Sequence, residues 1–209
     1  MIMKNIYCCI AIVIVGSLLS GCAYTSAEMV KAKIAQPAPQ RTAFSHCSSY
    51  GCTKVQQVAF SDDEWQSITA IFNDLPATAS VERHILPQAI AMMERIIGPK
   101  TGTSGDIARS WTLTFANKGQ LDCIDESINT TTYLQLLQKE GYVRFHDIGK
   151  IALRGQGMDI KLLHNTATLI EKNTGAEFAI DSWFRANGIK ADVVPLSDWI
   201  DGWKPKTSS

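Results

Sequence analysis

The chain has 209 residues, 45% of them hydrophobic and 19% charged, with a formal net charge of zero. That length suits about one domain able to bury its own core, and the composition is that of an ordinary globular protein. The charge balance leaves no basic face for nucleic acid, and no repeat of solenoid length is present.

The first 21 residues carry Lys4, an apolar stretch from Ile6 to Leu19, and the ending Leu19-Ser20-Gly21 before Cys22. The stretch is short for a membrane-spanning helix, and it reads as an export signal. Its ending resembles the bacterial lipobox, in which a small-residue pair precedes a cysteine that is acylated and becomes the mature N-terminus. The resemblance implies a lipoprotein: residues 1–21 leave as the signal peptide, Cys22 is the lipidation site, and two or three acyl chains hold the protein on a membrane. Ala23 after the cysteine, rather than Asp, implies the outer membrane, with the protein facing the periplasm. Residues 22–45 lack strong periodicity, contain Pro37-Ala38-Pro39, and read as a lipid-anchored tether. Residues 46–209 are left for the folded domain.

Six cysteines are present. Cys8 and Cys9 leave with the signal, Cys22 carries lipid, and Cys47, Cys52 and Cys123 remain. An oxidising compartment favours pairing. Cys47 and Cys52 bracket a Ser/Gly-rich loop that can bring them together, so a local disulfide is expected. A metal site built from His46 and both cysteines lacks a fourth ligand at a typical spacing, and no metal is expected. Cys123 is then the odd thiol, either buried and inert or reactive.

Ser61-x-x-Glu64 is a helix-start signal, followed by Trp65, Ile68, Ile71 and Phe72 on one face, and predicts a helix to about Asn73. A second helix is predicted from about Ser80 to Ile97, with Pro87 kinking it or breaking off its first part. Gly98 to Asp106 reads as a surface loop. A third helix opens at Leu121-Asp122-Cys123 and runs to about Glu140, where Gly141 stops it. Asp122 suits its N-cap, with Asp125 three residues on. Strand-like segments follow: Tyr142 to Phe145, Ile148 to Leu153, Leu163 to Glu171 and Glu177 to Trp183. The last two read as a hairpin about Asn173-Thr174-Gly175. Asn187-Gly188 marks a further turn, and Ser197 to Trp203 a short terminal helix capped by Ser197. Helices first and an antiparallel sheet after make an α+β fold.

Acyl transfer by a thiol needs a base beside the sulfur and a group that orients the base. Cys123 lies at a predicted helix start, where the dipole favours a thiolate and free N–H groups can receive an oxyanion. Asp122, Asp125 and Glu126 oppose this by raising the thiol pKa. His46, His84, His146 and His164 are the available bases. His164 opens an apolar strand and Asp181 lies on its hairpin partner, so the two can face each other within a residue or two of register. His146, after a short strand, is the next choice of base, and His84 on the second helix reads as structural or solvent-facing.

The pattern of an Asp-Cys pair at a helix start, a His opening a strand and an Asp just before Trp183 on the next strand resembles the transglutaminase-like superfamily. That superfamily includes bacterial transglutaminase-like cysteine proteinases, and the likeness covers roughly residues 105–185. It implies a papain-like core, with Cys123 on a helix against an antiparallel sheet bearing His164 and Asp181. It also implies hydrolysis of peptide or isopeptide bonds, or less often cross-linking, with no cofactor. Family sequences often carry a small residue near the Cys and an aromatic soon after the His. Here Leu121, Ile124, Asn165 and Thr166 stand around those positions. Gln120 is a candidate oxyanion donor, and Trp111 a candidate cleft residue or core tryptophan. The expected partners are the membrane, through the anchor, and a protein or peptide substrate. The alternative is a non-catalytic lipoprotein that uses the same fold as a binding module of the cell envelope.

Overall fold

The computed structural model describes residues 27–33, 38–110, 118–155 and 163–206. The signal segment, Cys22 and Trp111 lie outside the described residues. Among those described, no helix is long and apolar enough to cross a membrane.

A short helix α1 (Ala27–Lys33) comes first, then a hairpin of β1 (Phe44–Ser48) and β2 (Lys54–Val58). Helix α2 (Asp62–Thr69) runs on into a 3-10 turn at Ala70–Phe72, and α3 (Ala79–Thr101) follows. Next comes α4 (Cys123–Lys139). The strands β3 (His146–Ile148), β4 (Ala152–Arg154), β5 (His164–Glu171), β6 (Glu177–Asp181) and β7 (Asp192–Pro195) make the main sheet, and α5 (Leu196–Ile200) closes the chain. The fold is a mixture of helix and antiparallel sheet, as the order of elements predicts.

The sheet order is β3-β5-β6-β7, with β4 also paired to β5. Strands β3 and β4 therefore share one partner: β3 takes the Leu169–Glu171 end of β5, and β4 takes the His164–Thr166 end. Gly149 sits between them. A Cβ there would lie 2.2 Å from Thr168 Oγ1, so the close approach of backbone to strand needs glycine.

Helix α4 is buried on nearly every side, from Asp125 through Leu137. Its apolar face, with Tyr133, Leu134 and Leu137, joins Leu86, Ile90 and Met93 of α3 and Leu169 of β5 in the principal core. Its polar side chains find internal partners. Asn129 accepts the Cys47 N–H at 2.8 Å and donates to the Cys47 carbonyl at 2.9 Å, behaving like a strand neighbour of β1. Thr131 and Thr132 bond carbonyls one turn back. A helix whose buried surface mixes both residue types shows little amphipathic stripe.

Several expected boundaries move. The second helix runs unbroken through Pro87 and reaches Thr101, so the first four residues of the expected Gly98–Asp106 loop are helical. Thr78 caps it by accepting the Val81 N–H, and α2 packs beside it. The segment read as a tether contains α1, whose Ala27 and Val30 bury against Cys47, Cys52 and Ile128 in a second small core. The residues around Cys47 and Cys52 form a hairpin rather than a bare loop. The terminal helix starts at Leu196, without a side-chain cap from Ser197.

Candidate functional site

Cys123 is the first residue of α4. Asp122 is the N-cap, with its Oδ1 accepting the N–H groups of Ile124 and Asp125, while Asp125 returns an acceptor to the Asp122 N–H. This reciprocal box fixes the turn that carries the sulfur. The preceding turn is equally fixed: a Cβ on Gly119 would lie 2.0 Å from the Gly102 carbonyl oxygen, so the chain passes hard against the end of α3. Asp125 also accepts N–H bonds from Tyr50 and Cys52, and Asp122 accepts one from Gly51. The Ser49–Cys52 turn is thereby seated on the helix start, and Cys47 and Cys52 lie at disulfide distance with Cα atoms 4.7 Å apart. Cys123 is a free thiol and partly exposed.

His164 is the first residue of β5, and Asp181 the last of β6. The register Ala167↔Ile180 sets Asp181 two residues along from the position opposite His164, so the side chains are diagonal neighbours on one face. His164 Nε2 and Asp181 Oδ2 are 2.7 Å apart. The indole N–H of Trp199, on α5, donates to the same oxygen at 2.7 Å. A carboxylate here only accepts, so Nε2 carries the imidazole proton, and Nδ1 is the basic nitrogen. Among the described residues that Nδ1 is buried and has no hydrogen-bond partner. The ring is walled by Trp183, Phe184 and Trp199, at centroid distances of 4.6, 5.2 and 5.4 Å.

Among the described residues no hydrogen bond joins Cys123 Sγ to His164; the residue at the sulfur is Asn165, which follows His164 in β5 and therefore points to the other face of the strand. Asn165 Nδ2 reaches Cys123 Sγ at 3.8 Å, while its Oδ1 accepts the Ala27 N–H. Behind them, Ser182 donates to Glu126 Oε2 and pairs with Thr130, tying the chain just after Asp181 to the first turns of α4. Burial, then the Asp122 charge, push the Cys123 thiol up to about 12, with Asn165 pulling the other way and Asp181 adding to the rise. The resting sulfur is therefore the protonated thiol.

Gln120, the expected oxyanion donor, is buried with its amide directed at the loop before the helix. Its Nε2 donates to the Gly105 carbonyl and its Oε1 accepts the Ile107 N–H. The amide that touches the sulfur is that of Asn165. His146 has both nitrogens engaged, Nδ1 with Glu82 and Nε2 with Arg83, and since Arg83 only donates, Nδ1 carries the proton toward Glu82. His46 is buried on β1 beside Tyr133; burial and the Lys54 charge lower it to about 4. His84 is exposed on α3. The roles of Asn165 and Trp199 are not assigned by the sequence. The first was visible only as a departure from a family pattern, and the second acts across 18 residues of chain.

Comparison of the chain with models of known protein families, with curated proteins and with solved structures finds no match in any of the three.

Proposed function

We propose that the protein is a cell-envelope lipoprotein, held on the periplasmic face of the outer membrane through Cys22, with a transglutaminase-like acyl-transfer site of papain-like arrangement. The observation that carries the reading is the imidazole of His164: one nitrogen is fixed by Asp181, whose oxygen also accepts the Trp199 N–H, and the other is buried and unpartnered among the described residues. Its neighbour Asn165 touches the one free thiol among the described residues, at a helix start.

In this reading Cys123 Sγ attacks the carbonyl carbon of an amide as His164 Nδ1, which makes no hydrogen bond to the sulfur at rest, takes the thiol proton. Because the resting thiol is protonated, proton transfer accompanies the attack instead of preceding it. The oxyanion is met by the Cys123 N–H and the Asn165 amide. The imidazolium, stabilised by Asp181, then gives its proton to the leaving amine as the C–N bond breaks. Water, deprotonated by His164, cleaves the thioester, or a second amine takes the acyl group. The substrate is a protein or peptide of the envelope, and no cofactor takes part.

The test is alkylation of Cys123 by iodoacetamide at neutral pH. The rate is expected to fall at least tenfold in His164→Ala, with no labelling in Cys123→Ser. An unchanged rate in His164→Ala would overturn the proposal and select the second reading, a non-catalytic binding module. The observation favouring that alternative is the lack, among the described residues, of a hydrogen bond between Cys123 Sγ and His164.

A further inference from the structure

A cavity of about 400 Å³ opens beside His164, which forms part of its wall. Its size is that of a ligand site. Apolar surface comes from Leu163, Trp183 and Phe184, and charge from Arg109, Arg154 and Lys204 against the single carboxylate of Asp201. Arg109, Lys204 and Asp201 are exposed at the rim, but Arg154 is only 8% exposed.

Arg154 is the register partner of His164 across the β4–β5 ladder, so their side chains leave the sheet as neighbours. Its Nη1 donates to the carbonyls of Trp199 and Trp203, and its guanidinium lies 4.4 Å from the Trp199 ring centroid. These contacts hold the group in place without neutralising it. Among the described residues no carboxylate forms an ion pair with Arg154. Asp181, whose field does reach it, is already bonded to His164 and Trp199. A buried cation lacking a direct counter-charge is costly to keep. A planar guanidinium is suited to meeting a carboxylate in a fixed orientation. Arg109, over the Phe184 ring at 5.4 Å, and Lys204 bring two more positive charges to the same opening.

We propose that this cavity is an anion-reading subsite beside His164, which takes an apolar or aromatic group bearing a carboxylate and so selects peptides with a free carboxylate. This names the substrate class of the acyl-transfer site and rests on that reading. Because Arg154 and His164 are adjacent across the strands, a carboxylate on Arg154 lies beside the imidazole; Cys123 is not part of the cavity wall.

The test is equilibrium binding of N-acetylphenylalanine against N-acetylphenylalaninamide to the full-length protein, read by tryptophan fluorescence, with protection of Cys123 from iodoacetamide measured alongside. The carboxylate form is expected to bind at least tenfold more tightly, with the difference shrinking at high salt. Arg154→Gln is expected to abolish the difference and Arg154→Lys to keep part of it. Since Arg154 also braces two carbonyls, Arg109→Gln and Lys204→Gln serve as variants at exposed positions, each expected to weaken the carboxylate form several-fold and leave the amide form alone. Equal affinity for the two probes, or a preference untouched by all of these variants, overturns the subsite. Selective binding with alkylation that ignores His164 keeps the subsite and discards acyl transfer; His164-dependent alkylation with no carboxylate preference does the reverse.

Discussion

The orientation of His164 rests on a single carboxylate oxygen that serves two donors, the imidazole and the Trp199 indole. Asp181 is 1% exposed, so each donor it loses leaves charge uncompensated in a dry site. Trp199→Phe keeps most of the ring surface and removes only the N–H. We expect it to lower stability by about 1.5–3 kcal/mol, the range for a hydrogen bond to a charged group. It should also slow Cys123 alkylation several-fold while the protein stays folded, because Asp181 is then free to turn away from the imidazole. Urea unfolding and the alkylation rate of the same preparation check this. A stability loss with an unchanged alkylation rate would make Trp199 a packing residue alone. The Trp199–Asp181 bond is not legible in the sequence. Asp181 next to an apolar run signals a buried acid, and the His164 strand can be matched to it from the turn between them. Nothing local says that a tryptophan from the terminal helix will share its oxygen.

At the scale of elements, the helix starts were legible and the connections between elements were not. Ser61 with Glu64, and Asp122 with Asp125, form their capping boxes within four residues of chain, so the chemistry that makes each helix start is written where the helix starts. Pro87 does not break the second helix, because a burial-driven helix accepts a proline in its interior when packing supplies the stability. The β1–β2 hairpin was hidden because exposed Lys54, Val55 and Gln57 give β2 little apolar alternation. Its turn is stranger still: Ser49, Tyr50, Gly51 and Cys52 all have positive φ, at 71°, 63°, 63° and 57°. Three of the four are not glycine, and each costs roughly 1–2 kcal/mol in that region. What offsets the strain comes from far along the chain. Asp125 accepts the Tyr50 and Cys52 N–H groups, and Asp122 accepts that of Gly51. Asp125→Asn places an amide N–H₂ among these donors, whichever way it is flipped. A loss of about 1–3 kcal/mol is expected from one buried donor left unsatisfied. Hydrogen exchange should show faster exchange at Tyr50 and Cys52, along with the first turn of α4. Exchange unchanged at those amides would mean that the turn is held by the Cys47–Cys52 link alone.

Over the whole molecule, stability against pH is set by carboxyl groups buried where α3, α4 and the segment after α3 converge. Glu94 accepts the Gly188 N–H with one oxygen, and its other oxygen is buried without a partner among the described residues. Burial, with the Asp106 charge added, raises it to about 8. Asp106 is raised to about 7 by burial and then by Asp122, although it accepts the Leu121 N–H. Glu126 is raised well above its ordinary range by burial and by the charges of Glu94 and Asp106. In the unfolded chain these groups ionise near pH 4. Between that value and about 8 the folded protein holds protons that the unfolded chain has released, so stability falls as pH rises through this window. His46, lowered to about 4, works the other way, because the unfolded imidazole takes a proton below about 6.5. That single proton offsets only part of the carboxyl effect between pH 4 and 6.5. Below that, Glu82 reverses the slope: burial pushes it up, but bonds from His146, Arg144 and Phe145 outweigh burial and hold it low, so its contribution is lost on acidification. The expected profile therefore peaks near pH 5 and declines to pH 8. Glu94→Gln removes the ionisation while keeping the shape and an acceptor for Gly188, and is expected to add about 1–3 kcal/mol at pH 8 and close to nothing at pH 5. Urea midpoints of the two proteins across that range measure it. Curves that stay parallel from pH 5 to 8 would show that Glu94 is ionised in the folded state throughout, and that the junction of α3 and α4 tolerates a buried charge.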